Sequence, residues 1–191
     1  MPKLLKSTQF GNPVLRLPAR RLTKKDILSD EIQTLIADMR FTIEKRKMGV
    51  GLAAPQVGVS IALSVIAIKP TPNRPDIERF DQVIINPEVI ETFGRKQKMW
   101  EGCISSGTAN NTLFAQVPRY KKVKLKFYDE KGRLQEEVLK GIAAHVAQHE
   151  TDHLNGILFV DRVKDPKTYI MAGELRKKLK AEKKKPSVKK A

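Results

Sequence analysis

Two histidines stand four residues apart in the segment QHETDH, residues 148–153, and a glutamate directly follows the first. Residues i and i+4 lie on one face of an α-helix, so His149 and His153 can direct their ring nitrogens at one metal ion. Glu150 lies beside that face, where its carboxylate can accept a proton from a water molecule activated by the ion. The same spacing also occurs in solvated histidine pairs, so it permits a metal site without requiring one.

A catalytic ion usually has three protein ligands and an open position, so a third donor is needed. His145 lies one turn before His149, but residues 145 and 153 are about 12 Å apart along a helix axis, too far for one ion to bind both easily. We therefore expect His145 to line the cleft. The single cysteine, Cys103, is the better candidate, because its thiol would be deprotonated beside a metal. A buried thiol unrelated to the helix is the alternative.

The composition is that of a globular protein with an unusual charge. The 191 residues are enough for one buried core and do not demand a second domain. The formal net charge of +16 favours polyanionic partners. We expect no membrane span and a cytoplasmic location, since there is no apolar run of about eighteen residues and no signal-peptide pattern. One cysteine excludes an intrachain disulfide.

Hydrophobic periodicity predicts the elements of the first half of the chain. Apolar residues at offsets of three and four indicate a helix within 24–48, ended by Gly49. The apolar run 61–68 is typical of a buried strand. Residues 83–90 form a second predicted strand, in which Pro87 indicates an edge position or a bend.

The second half is predicted to carry a hairpin and two helices. Strict alternation in 121–128 and a return at 134–139 indicate an antiparallel hairpin. A helix carrying QHETDH should begin near Gly141 and end at Asn155-Gly156, and another should begin at Pro166. The fold class is therefore α+β, with mixed, mainly antiparallel sheets wrapped around a central HExxH-bearing helix and with an N-terminal and a C-terminal helix.

Three segments in this order resemble the motifs of the peptide deformylases: GVGLAAPQ at 49–56, EGCIS at 101–105 and QHETDH at 148–153. FGNPVLR at 10–16 and Val-Pro-Arg at 117–119 are also similar to segments of that family. One such motif is weak evidence, whereas three in register are specific. The resemblance implies a metal-dependent amide hydrolase that removes the N-formyl group from the initiator methionine of nascent polypeptides and releases formate.

The resemblance also assigns roles to residues. The implied metal ligands are Cys103, His149 and His153. Glu150 is the implied general acid and base, and the oxyanion hole is formed by the side-chain amide of Gln56 and the backbone N–H of Ile104. The implied metal in the cell is Fe2+, which Zn2+, Ni2+ or Co2+ can replace in preparations, although the ligand types alone favour zinc.

Further residues are placed around the substrate and behind the ligands. Four are expected at the substrate: Gly49, Val50, Gly51 and His145. The two glycines let an extended peptide approach the cleft, with a helix stop as the alternative for Gly49. By similarity to the family, Glu101 and Arg119 pair behind the site and orient its ligands, and a surface ion pair is the alternative.

The C-terminal segment is strongly basic. The resemblance covers residues 5–165, so we assign 1–173 to the catalytic domain and 174–191 to a basic helix extension and disordered tail. The segment 174–191 holds nine Lys or Arg against two Glu, hence a net charge of +7. Family members use a C-terminal helix at the ribosome, which implies contact with ribosomal RNA. A solubilising tail is the alternative, and neither DNA nor a membrane is expected as a partner.

Two other functions compete with this interpretation. A zinc endopeptidase shares HExxH and its water chemistry, but such proteases usually draw the third ligand from a downstream His or Glu, and no histidine follows His153. A non-catalytic ribosome-binding protein on the same fold is the second rival. The presence of Glu150 and Gln56 argues against it.

Overall fold

The computed structural model describes residues 1–45, 50–70 and 75–184. The strands are β1 Gly51–Ala53, β2 Leu63–Ile68, β3 Phe80–Gly102, β4 Leu113–Tyr128, β5 Leu134–Lys140 and β6 Ile170–Met171. The helices are α1 Lys24–Ile27, α2 Asp30–Lys45, α3 Gly141–Leu154 and α4 Ala172–Lys184. The expected helix stop at Gly49 and the tail beyond residue 184 lie outside the described ranges.

The α+β class is confirmed, with an antiparallel sheet and several helices. The described strands form one sheet rather than several, in the order β1-β2-β3-β4-β5, and β6 pairs with β4. All of these strand pairings are antiparallel. No helix in the described ranges is long and apolar enough to cross a membrane.

The strand predicted at 83–90 is part of a much longer one. β3 lies between β2 and β4, but its pairing with β2 ends at Ile85, so Pro87 lies at a bend where only β4 flanks the strand. The pairing with β4 shifts register between Ile85 and Glu88, which leaves Pro87 outside the regular hydrogen-bond ladder. This irregularity lets β3 continue to Gly102, next to the cysteine.

The helix predicted within 24–48 is divided in two. Thr23 and Asp26 form a capping box that begins α1, and the chain turns at Ser29, whose hydroxyl donates to the carbonyl of Asp26 at 2.7 Å. α2 then carries the periodic apolar residues, and Ile32, Ile36, Met39 and Ile43 are all buried.

The two faces of the sheet are packed by different helices. Adjacent residues of a strand point to opposite faces, so Val65 packs under α2 while Ile66 packs under α3. The face under α2 is called the α2 face, and the other the α3 face. The alternation predicted for 121–128 is confirmed, because Val123, Leu125 and Phe127 are buried on the α3 face.

The motif helix begins and ends where expected. α3 starts at Gly141, whose φ of +56° suits glycine, and Asn155 caps its end. The helix predicted at Pro166 begins later, because Pro166–Thr168 form only a short 3-10 turn and β6 intervenes before α4. In α4, Leu175 is buried, whereas Leu179 is 39% exposed.

Candidate metal centre

Three metal-binding side chains converge at the end of β3. The donor atoms of Cys103, His149 and His153 lie within 4.8 Å of one another. α3 supplies the two imidazoles from successive turns, and the cysteine sulfur lies 3.2 Å from Nε2 of His153. The structure therefore brings together the three candidate ligands named from the sequence.

Gly102 allows the cysteine to reach the helix. A Cβ atom at this position would lie 2.4 Å from the ring of Phe114 on the neighbouring strand, closer than any real contact. Glycine alone lets β3 run past that ring without displacing it. Cys103 then follows directly, and only 4% of its surface is exposed.

A buried carboxylate orients the first histidine. Oε2 of Glu101 lies 2.9 Å from Nδ1 of His149, which leaves the other ring nitrogen to face the centre. Arg119 donates to both oxygens of this carboxylate, at 2.7 Å and 3.1 Å. His145 lies 2.7 Å from Oε1 through Nε2. Glu101 thus joins one strand residue and two helix residues.

The Glu101 carboxylate is charged despite its burial. Burial alone would raise the pKa of Glu101, but the hydrogen bonds from His145, His149 and Arg119 outweigh it and hold the pKa well below its usual value. Burial likewise opposes charge on Arg119, yet Glu101 and Asp152 raise the pKa of the guanidinium. The pair is therefore ionic, and it is buried rather than at the surface.

Asp152 and Arg162 extend this network, and sequence reasoning missed both. Arg119 donates to Asp152 at 2.5 Å through Nη1, and Arg162 donates to the same carboxylate at 2.8 Å. The available signal was the acidic residue inside the motif itself, between Glu150 and His153. On a helix, residues i and i+3 lie near one face, so Asp152 flanks His149 on the side where Arg119 of β4 lies.

The cysteine sulfur and the first histidine influence each other. Burial raises the pKa of Cys103, but the nearby rings of His153 and His149 lower it well below its usual value. Burial lowers the pKa of His149, but Cys103 and Glu101 raise it well above its usual value. The thiolate that results is the form of cysteine that binds metals.

Glu150 is buried beside the three donors with one oxygen unpaired. Its Oε2 has no hydrogen-bond partner among the described residues, and only 3% of its surface is exposed. Burial is the main cause that raises the pKa of Glu150 to about 7. Gly51 lies against this carboxylate, since a Cβ at Gly51 would be 2.2 Å from Oε1. The absence of a side chain at Gly51 thus makes room for Glu150.

The amide of Gln56 is fixed at the same centre. Its Oε1 accepts from the N–H of Ala53 at 2.8 Å, and its Nε2 donates to the sulfur of Cys103 at 3.1 Å. Because one end of the amide is held by the backbone, the other end has a defined direction. Ile104 follows the cysteine and begins a short 3-10 turn.

The N-terminal segment bridges the two loops that carry Gln56 and Ile104. The N–H of Thr8 donates to the carbonyl of Gln56 at 2.8 Å, and the amide of Gln9 donates to the carbonyl of Ile104 at 3.1 Å. The N–H of Phe10 donates to the carbonyl of Ser105 at 2.8 Å. This bridge was not expected from the sequence, because no local pattern reports pairing across such a separation.

A cleft of about 1150 Å³ opens onto the centre. The predicted substrate residues Val50, Gly51 and His145 line it. Gln56, Ile104 and Glu150 line it as well. Gly49 lies outside the described residues, so its expected place at the substrate stays a prediction.

The donor set fits one divalent ion. A thiolate and two imidazoles are the ligands of many catalytic metal sites, and the buried, unpaired oxygen of Glu150 faces the same cleft. The thiol is held in its metal-binding form, and one histidine is fixed from behind by Glu101.

Comparison with known proteins gives the family. The chain matches the family model of the polypeptide deformylases over residues 4–169. A peptide deformylase of Thermotoga petrophila is 39% identical over 170 residues, which cover 89% of this chain and 91% of the relative.

Solved structures are also similar. The class I type b peptide deformylase of Acinetobacter baumannii with Met-Ala-Ser bound has a TM-score of 0.78 at 35% identity, covering 85% of this chain and 100% of that one. A peptide deformylase of Synechococcus elongatus in complex with actinonin has a TM-score of 0.72 at 36% identity, covering 94% of this chain and 86% of that one. The family and the Cys/His/His cluster together support a single metal ion. On the family match, the identity and the shared fold, the chain belongs to the polypeptide deformylase family.

Proposed function

We propose that the metal centre, Glu150 and Gln56 together carry out the family's reaction in this chain. As a member of the family, the chain is an enzyme that removes the N-formyl group from nascent polypeptides. The observation that carries the assignment of roles is the buried, unpaired carboxylate of Glu150 next to three converging donors. We also propose α3 as the centre of the fold, since it packs against strands β1 to β5.

Cys103, His149 and His153 hold the ion in this proposal. When bound, a divalent ion supplies Lewis acidity and makes a water molecule nucleophilic near neutral pH. Glu150 accepts the proton of the attacking water and delivers it to the departing amine, which leaves formate and a free amino terminus. Burial suits this role, because it lets the carboxyl group hold a proton at neutral pH.

Gln56 and Ile104 stabilise the charge that develops on the formyl oxygen. The Nε2 group of Gln56 is already directed at the centre by its bond to the backbone of Ala53. The backbone N–H of Ile104 supplies the second donor. One such donor typically contributes about 10²–10³ in rate.

The substrate peptide lies along β1 in this proposal. β1 is an edge strand that pairs only with β2 within the described residues, so an extended peptide can add to its free side. Val50, Gly51 and His145 contact the substrate in this proposal. Gly49, which has no side chain, lets the peptide come close to the backbone. The Acinetobacter relative contains bound Met-Ala-Ser, which supports a peptide in the corresponding cleft.

Glu101 and Arg119 act by positioning. The carboxylate fixes the ring of His149, and the guanidinium fixes the carboxylate. Groups that orient a metal ligand in this way typically change metal affinity or activity by about 10–100-fold when they are replaced.

The proposed metal in the cell is Fe2+, with Zn2+, Ni2+ or Co2+ in preparations. A thiolate with two imidazoles accommodates each of these ions. Purification without oxygen, followed by metal analysis, should find iron together with the highest rate of formate release. Zinc as the ion of the most active preparation would contradict the assignment.

The basic segment 174–191 is proposed as an extension that contacts the ribosome, and 1–173 as the catalytic domain. The family match ends at residue 169, and α4 follows it with many lysines. An enzyme with this substrate works in the cytoplasm, where nascent chains leave the ribosome. Removal of 174–191 should weaken ribosome co-sedimentation at low salt and spare hydrolysis of a short formyl peptide.

Because this deletion also removes the buried Leu175, a second variant is needed. Replacement of the lysines at 183–185 and 189–190 by glutamine keeps α4 up to residue 182 and removes five of the nine positive charges of the segment. Unchanged co-sedimentation of both variants would rule the ribosome contact out.

The reaction itself is tested with formyl-Met-Ala-Ser. Formate should be released in equal amounts with free Met-Ala-Ser, and no internal peptide bond should be cut. Cleavage within the peptide would instead favour the endopeptidase alternative.

A further inference from the structure

Within the described residues, α2 leaves one part of the α2 face of the sheet uncovered. The cover of α2 reaches Tyr128, and the residues of β4 and β3 beyond it on this face are half-buried or exposed. We call this part the open face, and it is formed by Phe93, Lys96, Lys98, Trp100, Tyr120, Lys122 and Lys140. Lys98 and Trp100 also line the cleft at the metal centre, and Tyr120 is half-buried against the core of the α3 face. Cross-strand pairing places them together, since Lys122 is opposite Phe93 on one side and Lys140 on the other.

Three aromatic rings of this region each have a lysine above them. The ammonium group of Lys122 lies 4.1 Å from the centroid of Phe93, and that of Lys96 lies 5.2 Å from Tyr120. Lys178 of α4 lies 5.5 Å from Trp100, so the open face continues into the basic helix. Phe93 and Trp100 are seven residues apart on one strand, which corresponds to about 20 Å.

The charge of the open face is not neutralised. In the ranges that the structure describes, no ion pair involves Lys96, Lys98, Lys122, Lys140 or Lys178. The far end of the same face differs, because Lys124 pairs with Glu136 at 2.7 Å and Lys126 is opposite Glu88. The excess of positive charge therefore lies where the rings are.

We propose that the open face binds a single-stranded nucleic acid, with phosphates on the lysines and unstacked bases on the rings. Flat aromatic side chains along a positively charged surface are the two features that single-strand binding requires. A lysine over a half-buried ring is held more weakly than a stacked base, so the base can displace it and the ammonium group can move to the neighbouring phosphate. A double helix keeps its bases stacked and cannot use the rings.

The combination of aromatic rings and lysines indicates the class of partner. An acidic protein could pair with the lysines, but it would leave the three rings without a ligand. RNA is the strand that is present where nascent chains are made, and this choice over DNA rests on the proposed function. RNA binding does not require formate release. An experiment can therefore contradict the RNA-binding proposal without contradicting the proposed reaction, and the reverse.

The test is fluorescence anisotropy of a labelled twelve-nucleotide RNA strand with the full chain, between 50 and 200 mM salt. K96Q/K122Q should weaken binding at least tenfold and reduce the slope of log K against log salt by about 1.4, which is about 0.7 for each phosphate contact. F93L keeps the apolar volume but removes the flat ring, and we expect it to weaken binding about tenfold. All variants should release formate at the unaltered rate.

K45Q is the matched control, because Lys45 lies 5.2 Å from the ring of Phe41 on α2, away from the open face. RNA binding by K45Q should equal that of the unmodified chain. Equal binding of a DNA strand supports recognition through phosphates and base faces, which both strands share. The proposal is overturned if K45Q loses as much RNA affinity as K96Q/K122Q, or if K96Q/K122Q loses none. It is also overturned if polyglutamate competes for the protein as strongly as unlabelled RNA does.

Discussion

Oε2 of Glu101 lies 2.9 Å from Nδ1 of His149, and this contact connects the sheet to the metal centre. The carboxylate is itself held by Arg119, which also binds Asp152 on the motif helix. The orientation of one imidazole therefore depends on a buried network that includes Arg119 of β4 and Asp152 of α3.

Replacement of Glu101 by glutamine should weaken metal binding. His149 loses its charged partner, so we expect the affinity for Zn2+ or Co2+ to fall about 10–100-fold. Arg119 also loses one of its two carboxylates, and stability should fall by about 3–5 kcal/mol. Metal titration and denaturant unfolding measure the two effects.

Asp152→Asn serves as the control for Glu101→Gln. It removes the other carboxylate of Arg119 without touching the partner of His149. We expect Asp152→Asn to lower the free energy of unfolding about as much as Glu101→Gln does. Its metal affinity should stay nearly unchanged. If both variants lose metal affinity equally, the contact between Glu101 and His149 has no special role.

Replacement of Glu150 by glutamine should stop turnover while the metal stays bound. Glutamine has the same shape but cannot accept the proton of the attacking water, and loss of such a group typically costs about 10²–10⁴ in rate. Formate release and metal content should be measured on the same sample. Retained turnover would remove the role assigned to this carboxylate.

Replacement of Gly51 by alanine should misplace Glu150. The new Cβ would lie 2.2 Å from Oε1 of Glu150 and 2.8 Å from the side chain of Val146, so the carboxylate must move. A displacement of about 1 Å can cost about 10²-fold in rate. Gly173→Ala is the control, because its Cβ would meet Asn110 at an ordinary 3.6 Å. Equal kcat values for both variants would contradict the prediction.

Asp129 should make stability depend on pH in acid. Burial would raise the pKa of Asp129, but hydrogen bonds from the backbone and side chain of Arg133 outweigh it and lower the pKa below 3.8. Since the folded pKa is depressed, the stabilisation is complete above about pH 5 and is lost as the pH falls through the folded pKa.

The comparison of Asp129→Asn with the unmodified chain isolates this effect. Near neutral pH the variant should be less stable by about 1–3 kcal/mol, since the carboxylate accepts from Lys131, Arg133 and the guanidinium of Arg133. The difference should shrink below about pH 4. Urea unfolding at several pH values measures it, and a difference that stays constant down to pH 3 contradicts the expected pKa.

Local pattern accounts for the elements that the sequence predicts correctly. Two such patterns are the alternation of Val123, Leu125 and Phe127 and the helical spacing of His149 and His153. Each extends over only a few residues, so it can be recognised without knowing which other segment packs against it. The break after Ile27 and the length of β3 are not visible in this way. They depend on capping side chains and on a register shift against another strand.

The centre was predictable only in part for the same reason. Cys103 was chosen as the third ligand from its residue type, whereas the places of Gln56 and Glu101 came from the resemblance to a family, since nothing local connects residues so far apart. Asp152 was missed although it lies inside the motif, because its partner Arg119 is on a strand. Gly51 was interpreted as leaving space for a peptide. The structure shows that the carboxylate of Glu150 also lies against this glycine.

The bridge formed by Thr8, Gln9 and Phe10 also bears on the order in which this enzyme matures. Gln9 and Ile104 are 95 positions apart, so residues 8–10 cannot dock until residues 104 and 105 have been synthesised. The histidines of α3 are synthesised later still. The metal centre of an enzyme that trims newborn proteins can thus assemble only after residue 153 of its own chain has been made.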